Sequence, residues 1–397
     1  MTKLIEITGK AISGEWGNDD TDGTGIPVLR TTNFTNDGVI NFNSVVTRSI
    51  AKKNLEEKYL QRGDIIIEKS GGSTDQPVGR VVYFDAEENK YLFNNFTGVL
   101  RIIDKSTWFP RYVFWALYYN YRIGGTKPYQ NKTTGLHNLQ TEQYICNTEI
   151  HETSYIGQKR IAAILDKVDV LISLRKKQLQ KLDDLVKSRF VEMFGDPVNY
   201  KGSLSVLPMT DICTIIDGDR GENYPKQEDF SISGYCLFLN AKNVTKNGFD
   251  YSNCMYISKA KDDVLRKGKL QRGDIVLTTR GTIGNLAFYS KDVPFDHVRI
   301  NSGMVLLRMK GMMEEQFFIE QFRMLLDDIR LSIASGSAQP QLPISTMNKI
   351  MMIVPNKEKQ RQFVEILEAI NKTKSSIQAG LDKLEQMKQA LMQKYFA

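Results

Sequence analysis

Histidine and cysteine are scarce in this chain. Its 397 residues include three histidines and four cysteines. His137, His151 and His297 are scattered along the sequence, so neither a histidine-based metal centre nor a triad that needs histidine is expected. Cys146, Cys213, Cys236 and Cys254 form no CxxC pair and fit no zinc spacing. They read as reduced thiols of a cytoplasmic protein. No apolar run approaches membrane-spanning length, and no charged-then-apolar signal segment opens the chain. There is no GxxxxGK[ST] loop to cradle a nucleotide and no glycine-rich methyl-donor motif. No metal and no cofactor bound by this chain is expected. Charge of one sign is also in short supply: a net +7 admits an acidic partner such as nucleic acid without demanding one.

The totals bound the architecture. A chain of this length exceeds one ordinary core and predicts two or three domains. With 41% hydrophobic and 25% charged residues, it reads as folded and globular rather than disordered.

The organising feature is a repeat. "YLQRGDIIIEKSGGS" at Tyr59–Ser73 returns as "KLQRGDIVLTTRGTIG" at Lys269–Gly284. Gly63 matches Gly273 at an offset of 210 residues, and the same offset pairs Asn33 with Asn243 and Gly38 with Gly248. Upstream, Gly14 pairs with Gly218 at 204. Downstream, Gly79 pairs with Gly284 at 205. A second repeated block follows: "IGQKRIAAILDKVD" (156–169) parallels "EKQRQFVEILEAIN" (358–371) at offset 202, which holds through Phe194 and Phe396. The chain is therefore written as variable block, helix, variable block, helix. The boundaries expected are 1–153, 154–197, 198–355 and 356–397.

The helical blocks carry apolar residues at steps of three and four, the seam of a coiled coil. In the first, the seam runs through Ile161, Leu165, Val168, Ile172, Leu179 and Leu182, with Arg175 as a basic interruption. In the second it runs through Leu367, Ile370, Lys374, Ile377, Leu381, Leu384 and Met387, with Lys374 as the interruption. Each helix spans roughly 55 Å at 1.5 Å per residue. Gly195-Asp196-Pro197 ends the first. Each helix needs an apolar partner and the other is the internal candidate. Antiparallel packing would relate the two attached blocks by a pseudo-two-fold axis. An ordinary core helix is the plainer reading of either segment, but two matched helices of this length are unusual.

Each variable block alternates short β-rich runs with turns, then adds a helix and a polar loop. The runs include "GIPVLRTTNF" and "GRVVYF" in the first block and "YCLFLNAKNV" and "NLAFYS" in the second. The fold class expected is α+β: two tandem heads of mostly antiparallel sheet plus helix, joined by two long helices. The loops are rich in side chains that read base edges and grip phosphates. Lys69, Lys127, Tyr129, Gln130 and Lys132 in the first head, and Arg280, Gln339 and Gln341 in the second, are the foremost candidates. Around them the candidate face takes in Trp16, Arg30, Asn33 and Ser70, and Arg220, Asn240, Lys242, Asn243, Thr279 and Thr282. For any single residue a solvated polar loop is the plainer reading; for the set, at matching places in both heads, a binding face is favoured.

Enzyme readings fare poorly. Asp64, Glu68 and Lys69 in "RGDIIIEKS" resemble a nuclease constellation, but the second copy replaces Glu68 by Thr278 and Lys69 by Thr279. The Gly-Asp pairs read as turns into a strand. "FGDPVNY" (194–200) lacks the second proline of an adenine methyltransferase motif and sits at a helix end, so it reads as a helix stop. No catalytic residue is expected.

Taken together and in order, these motifs resemble the specificity (S) subunit of type I restriction–modification systems over essentially the full length. The resemblance rests on "LQRGDI" followed by a glycine turn, seen twice, and on "SGEW" (13–16) with "DGDR" (217–220). It also rests on "GQKRIAAILDKVD", "EMFGDP" and the duplicated architecture. It implies two target-recognition domains, each reading half of a bipartite site in double-stranded DNA. The long helices would act as ruler and as docking surface for two methyltransferase (M) subunits, which hold S-adenosylmethionine and methylate adenine. Two restriction (R) subunits would add ATP- and Mg-dependent translocation and cleavage. The changed endings after "LQRGDI" imply two different half-sites, with Arg280 suited to guanine and Lys132 to phosphate. The alternative is a two-headed coiled-coil protein that binds proteins or glycans and has no DNA affinity. A recognition module detached from a single-chain restriction–methylation enzyme is a third reading.

Overall fold

The structure, a computed structural model, describes all residues except 53–54, 74–75, 134–135 and 335–340. The side chains of 132, 133, 136 and 334 also lie outside the described set. The chain forms two compact units. The first is Met1–Lys177 with Gln378–Ala397; the second is Gln178–Ile377. The division therefore runs through both long helices, Tyr155–Phe194 and Lys357–Phe396.

In the first unit a four-stranded antiparallel sheet runs in the order Ile12–Ser13, Thr97–Leu100, Ile65–Glu68, Val81–Tyr83. The second unit has the same order: Cys213–Asp217, Met304–Met309, Ile275–Thr278, Leu286–Phe288. The uninterrupted apolar runs "III" and "IVL" are explained by burial on both faces, because side chains alternate along a strand. Ile65 and Ile67 face the core under the helix Pro110–Arg122, whereas Ile66 joins Leu29, Phe93 and Val99 on the other side. Ile275 and Leu277 divide from Val276 in the same way.

That other side is closed by a further sheet containing one parallel pair in each unit. Ile26–Leu29 lies parallel to Leu92–Phe93, and Cys236–Leu239 lies parallel to Val298–Ile300. Gly14 and Gly218 stand where the chain crosses these strand ends. A β-carbon at either would lie 2.2 or 2.3 Å from a backbone oxygen, of Asn94 or Asn301 respectively, so only glycine fits.

Each head carries one helix that packs on long-helix segments of its own unit. In the first, Tyr112, Trp115 and Tyr119 of Pro110–Arg122 are buried in one cluster with Ala162, Leu165 and Met392. In the second, Phe317, Phe318 and Phe322 of Glu315–Ala334 are buried with Phe190, Phe194, Phe363 and Leu367. Phe190 and Phe363 meet edge to face with ring centroids 5.4 Å apart.

Within each unit the long-helix segments run antiparallel. Asp169 meets Lys388 at 2.5 Å and Lys176 meets Glu385 at 3.4 Å in the first; Asp183 pairs with Lys374 in the second. Leu165, Val168, Ile172, Leu367, Ile370 and Leu381 are buried, and Ile161, Leu179, Leu182, Ile377 and Leu384 are partly buried. Two seam assignments are corrected. Arg175 is exposed, and its neighbour Lys176 is the residue that reaches across. Met387 is 44% exposed, whereas Lys388 is 8% exposed. Lys388 stands four residues after Leu384 and so continues the alternating steps of three and four, whereas Met387 repeats a step of three and falls off the buried stripe.

A buried glutamine opens each long helix. Gln158 accepts a hydrogen bond from the Phe109 amide at 2.8 Å and donates to the Thr107 and Thr153 carbonyls. Gln360, its repeat partner, accepts from the Glu314 amide at 2.8 Å and donates to the Met312 and Pro355 carbonyls. Each side chain thus ties a long helix to the start of the head's own helix. Replacing Gln360 by Ala strands buried polar groups at both ends, so the second unit should lose about 1–3 kcal/mol. Urea unfolding followed by the hydrogen exchange of that unit tests this; Gln360→Glu, which cannot donate to two carbonyls, should not restore it.

Candidate nucleic-acid interface

The repeated "RGD" is a structural joint. Asp64 is 1% exposed and takes a bidentate pair from Arg101, at 2.8 and 2.7 Å, while accepting the Gln61 amide at 2.8 Å. Asp274, also 1% exposed, takes Arg308 at 2.8 and 2.8 Å and the Gln271 amide at 2.8 Å. The carboxylate closes the turn and clamps it to the neighbouring strand. The expectation that these residues make the turn into a strand is thereby given its mechanism.

Beyond the joint the two copies diverge, and the structure shows what the divergence does. Glu68 is 3% exposed and grips Arg80 at 2.9 and 3.0 Å, and Arg80 reaches the Thr31 and Phe34 carbonyls. At the matching places the Thr278 hydroxyl accepts the Asn285 amide at 3.0 Å, and the Asn285 side chain donates to the Val244 carbonyl at 2.8 Å. Val244 is the repeat partner of Phe34. One connection, between the strand end and the preceding loop, is made by an ion pair in the first head and by neutral groups in the second.

The candidate residues gather at the loops that follow. In the first head, Ser70–Gly72 pairs with Leu136–Leu139, which pairs with Gln130–Thr133. In the second, Arg280 bridges to Gln341. An equivalent hydrogen bond anchors both: the Leu139 amide donates to the Lys69 carbonyl at 2.8 Å, and the Leu342 amide to the Thr279 carbonyl at 3.0 Å. Two segments distant in sequence are thus brought side by side in each head. The three-stranded arrangement of the first head was not anticipated from the sequence.

Individual placements differ. Lys127, Lys242, Arg280, Thr282 and Gln341 are exposed. Lys69 and Ser70 are half-buried, and burial, followed by the nearby Lys58 charge, pulls the Lys69 ammonium below its ordinary pKa. Trp16 is half-buried with the Arg48 guanidinium 4.2 Å above its ring. Arg30 is half-buried and reaches the Ser44 carbonyl at 3.4 Å. Tyr129 packs edge-on against Tyr144, and Gln130 donates to the Val78 carbonyl at 3.3 Å. Arg220 is held by Asp217 and the Ser302 carbonyl, both at 3.2 Å. Asn240 accepts the Lys242 amide at 2.9 Å.

Three residues do not offer their side chains to a ligand. Asn33 and Asn243 are 0% and 1% exposed, with both ends of each amide committed to the backbone of their own loop. Thr279 is buried and donates to the Gly303 carbonyl at 3.0 Å. These residues shape the loops rather than line their surface. The Lys132 side chain and all of Gln339 lie outside the described residues. Sequence reasoning passed over Arg122, Lys246, Arg323 and Arg330, which stand beside the same loops. They lie on or near the heads' helices, and no motif marks them. Among the described residues no group of His, Cys, Asp and Glu could hold a metal ion, and no helix is long and apolar enough to cross a membrane.

Comparison with known proteins agrees with this geometry. Residues 205–386 match the family described as type I restriction modification DNA specificity domain. That segment spans the second head and most of the second long helix. The whole chain also shares its fold with solved type I proteins. One is the S subunit of the type I restriction–modification system from M. genitalium, at 15% identity and a TM-score of 0.54, covering 100% of this chain and 95% of that one. Another comes from a study of complex assembly and conformational transition in a type I R-M system, at 14% identity and 0.54, covering 100% and 96%. The first head of this chain lies outside the matched segment, yet it repeats the buried Asp–Arg joint, the glutamine clamp and the loop anchor of the second.

The joint predicts a stability effect. Asp274→Ala leaves Arg308 without its partner and the Gln271 amide uncapped. Removing one member of a buried pair costs about 3–5 kcal/mol, and the partly wet Arg308 places this case near the lower figure. Thermal unfolding should show the loss, with Asp274→Asn intermediate because it keeps the turn cap. A melting curve unchanged by Asp274→Ala would remove the joint from its central role.

Proposed function

We propose that this chain is the sequence-reading subunit of a type I restriction–modification complex. Each head reads one half of a bipartite, asymmetric site in double-stranded DNA, and the chain itself performs no chemistry. The observation that carries this reading is the pair of matched loop platforms. A shared frame, Asp64–Arg101 and Asp274–Arg308, presents Lys69-Ser70 beside the Gln130 hairpin in one head and Arg280 beside Gln341 in the other. A frame held constant beneath side chains of different chemistry is what reading two different half-sites requires.

The long helices set the distance between half-sites and offer their outer faces to two M subunits, which supply S-adenosylmethionine and methylate adenine. Two R subunits complete the cleaving complex with ATP and Mg. Val170, Leu171 and Leu174 are 47–57% exposed on the central helix, an apolar stripe that a partner would cover.

Single-molecule methylome sequencing of the host with and without this gene tests the reading directly. One bipartite methyl-adenine motif with unlike halves should vanish on deletion. A methylome that stays the same while the methyltransferase is expressed would end the proposal and favour a binding protein of another kind. Within the second half-site, Arg280→Ala should relax discrimination at one base pair by about 1–3 kcal/mol. Adding one heptad to both long helices should lengthen the tolerated spacer or abolish methylation; an unaltered spacer would defeat the ruler role.

A further inference from the structure

Each head contains a cleft at the same place, between the loop after the matched asparagine, the loop after the strand carrying Glu68 or Thr278, and the head's own helix. In the first head it is bordered by Asn36, Gln76 and Arg122; in the second by Lys246, Thr282 and Arg323. Asn36 and Lys246 are repeat partners at offset 210, and Gly79 and Gly284, which precede the next strand, are partners at 205. Both glycines press the loop onto the helix side. A β-carbon would lie 2.6 Å from Thr126 at Gly79 and 2.1 Å from Leu326 at Gly284. The clefts measure about 320 and 640 Å³.

Their charge is one-sided. Arg122 and Lys127 line the first, and Lys242, Lys246, Arg323 and Arg330 line the second, and no aspartate or glutamate among the described residues borders either. The whole chain has 53 basic and 46 acidic residues, so mixed linings are the expectation. The 780 Å³ cavity on the long-helix side of the first unit is mixed, with Asp37, Asp169, Asp382 and Glu385 beside Lys176 and Lys388, and Arg122 stands between it and the first cleft. The cations of the two clefts also come from different positions: Arg122 aligns with Asp327, and Lys246 with Asn36. The sign of the charge recurs although the residues that supply it do not.

The guanidiniums of the second cleft are oriented. Arg330 donates to the Ile283 carbonyl at 2.8 Å and Arg323 to the Lys246 carbonyl at 3.4 Å. These two also have carboxylate neighbours one helical turn away, Asp327 and Glu320. Lys242, Lys246, Arg122 and Lys127 have no ion-pair partner among the described residues. Thr282, at the rim of the second cleft, is two residues from Arg280.

We infer that each cleft holds a backbone phosphate of the DNA beside the half-site its head reads. This rests on the DNA-reading function proposed above. The cleft supplies affinity and register without sequence information, while the adjoining loop reads bases.

The test uses the full chain co-expressed with its M subunits. Two variants, Lys242→Ala/Lys246→Ala and Arg122→Ala/Lys127→Ala, remove exposed cations and should melt as the wild type does. Affinity is measured between 50 and 200 mM salt for duplexes carrying the methylated motif and for scrambled duplexes. Each variant should lose about tenfold on both duplexes, with a salt slope shallower by about one unit and the motif preference unchanged. Lys242→Arg/Lys246→Arg should bind as the wild type. If affinity and slope stay at wild-type values while the wild type binds its motif in a salt-dependent way, the cleft assignment is wrong and the DNA-reading function stands. A shifted motif preference would mean that the cleft reads bases, which also overturns the phosphate assignment. A wild-type complex without motif-specific affinity would overturn the function itself and the cleft with it.

Discussion

A buried carboxylate gripped by an arginine holds each head in shape. Asp64 with Arg101, and Asp274 with Arg308, join a tight turn to the strand beside it and place the start of the central strand. From that point the strand runs through a core buried on both faces and emerges at the loops that carry the candidate contacts. Desolvating a carboxylate is unfavourable unless its lone pairs are filled, and here two guanidinium donors and a backbone amide fill them. The joint also explains why "RGDI" tolerates so little change between copies while the residues four positions further on differ freely.

The difference between Glu68–Arg80 and Thr278–Asn285 shows how the frame admits variation. Both pairs reach back to the same loop, at Phe34 or Val244, but one does so with a buried ion pair and the other with a hydroxyl and an amide. A buried ion pair is rarely more stabilising than a well-packed neutral replacement. Either solution preserves the geometry, so the chemistry near the loops can differ without loss of the platform. The bases of the heads vary in a parallel way. The first head rests on a polar joint in which Trp115 and Arg111 both donate to Asp166 and Lys388 lies 4.8 Å over Trp115; the second rests on stacked phenylalanines.

Several parts of this molecule were legible in the residues alone. The offsets of 210 and 202 fixed the order of blocks, because a repeat constrains both copies to one set of pairings. The turns at Gly63-Asp64 and Gly273-Asp274, the β-runs behind them and the two long helices followed from local spacing. These features depend on neighbours in sequence or on a period, and spacing records both.

Other parts were decided only by the folded chain. Asn33 and Asn243 look like base-reading amides in a polar loop, yet their carbonyl oxygens and amides are consumed by backbone groups up to ten residues away. Lys388 looks like a surface lysine, yet its place four residues after Leu384 puts it on the buried face against Asp169. The cationic clefts are assembled from a loop, a turn and a helix spread over more than 70 residues of sequence, with cations at positions that do not correspond between the copies. Periodicity and motif report which residues lie on one element, but a cleft belongs to several elements at once. Its charge is therefore set by which surfaces the tertiary fold brings together.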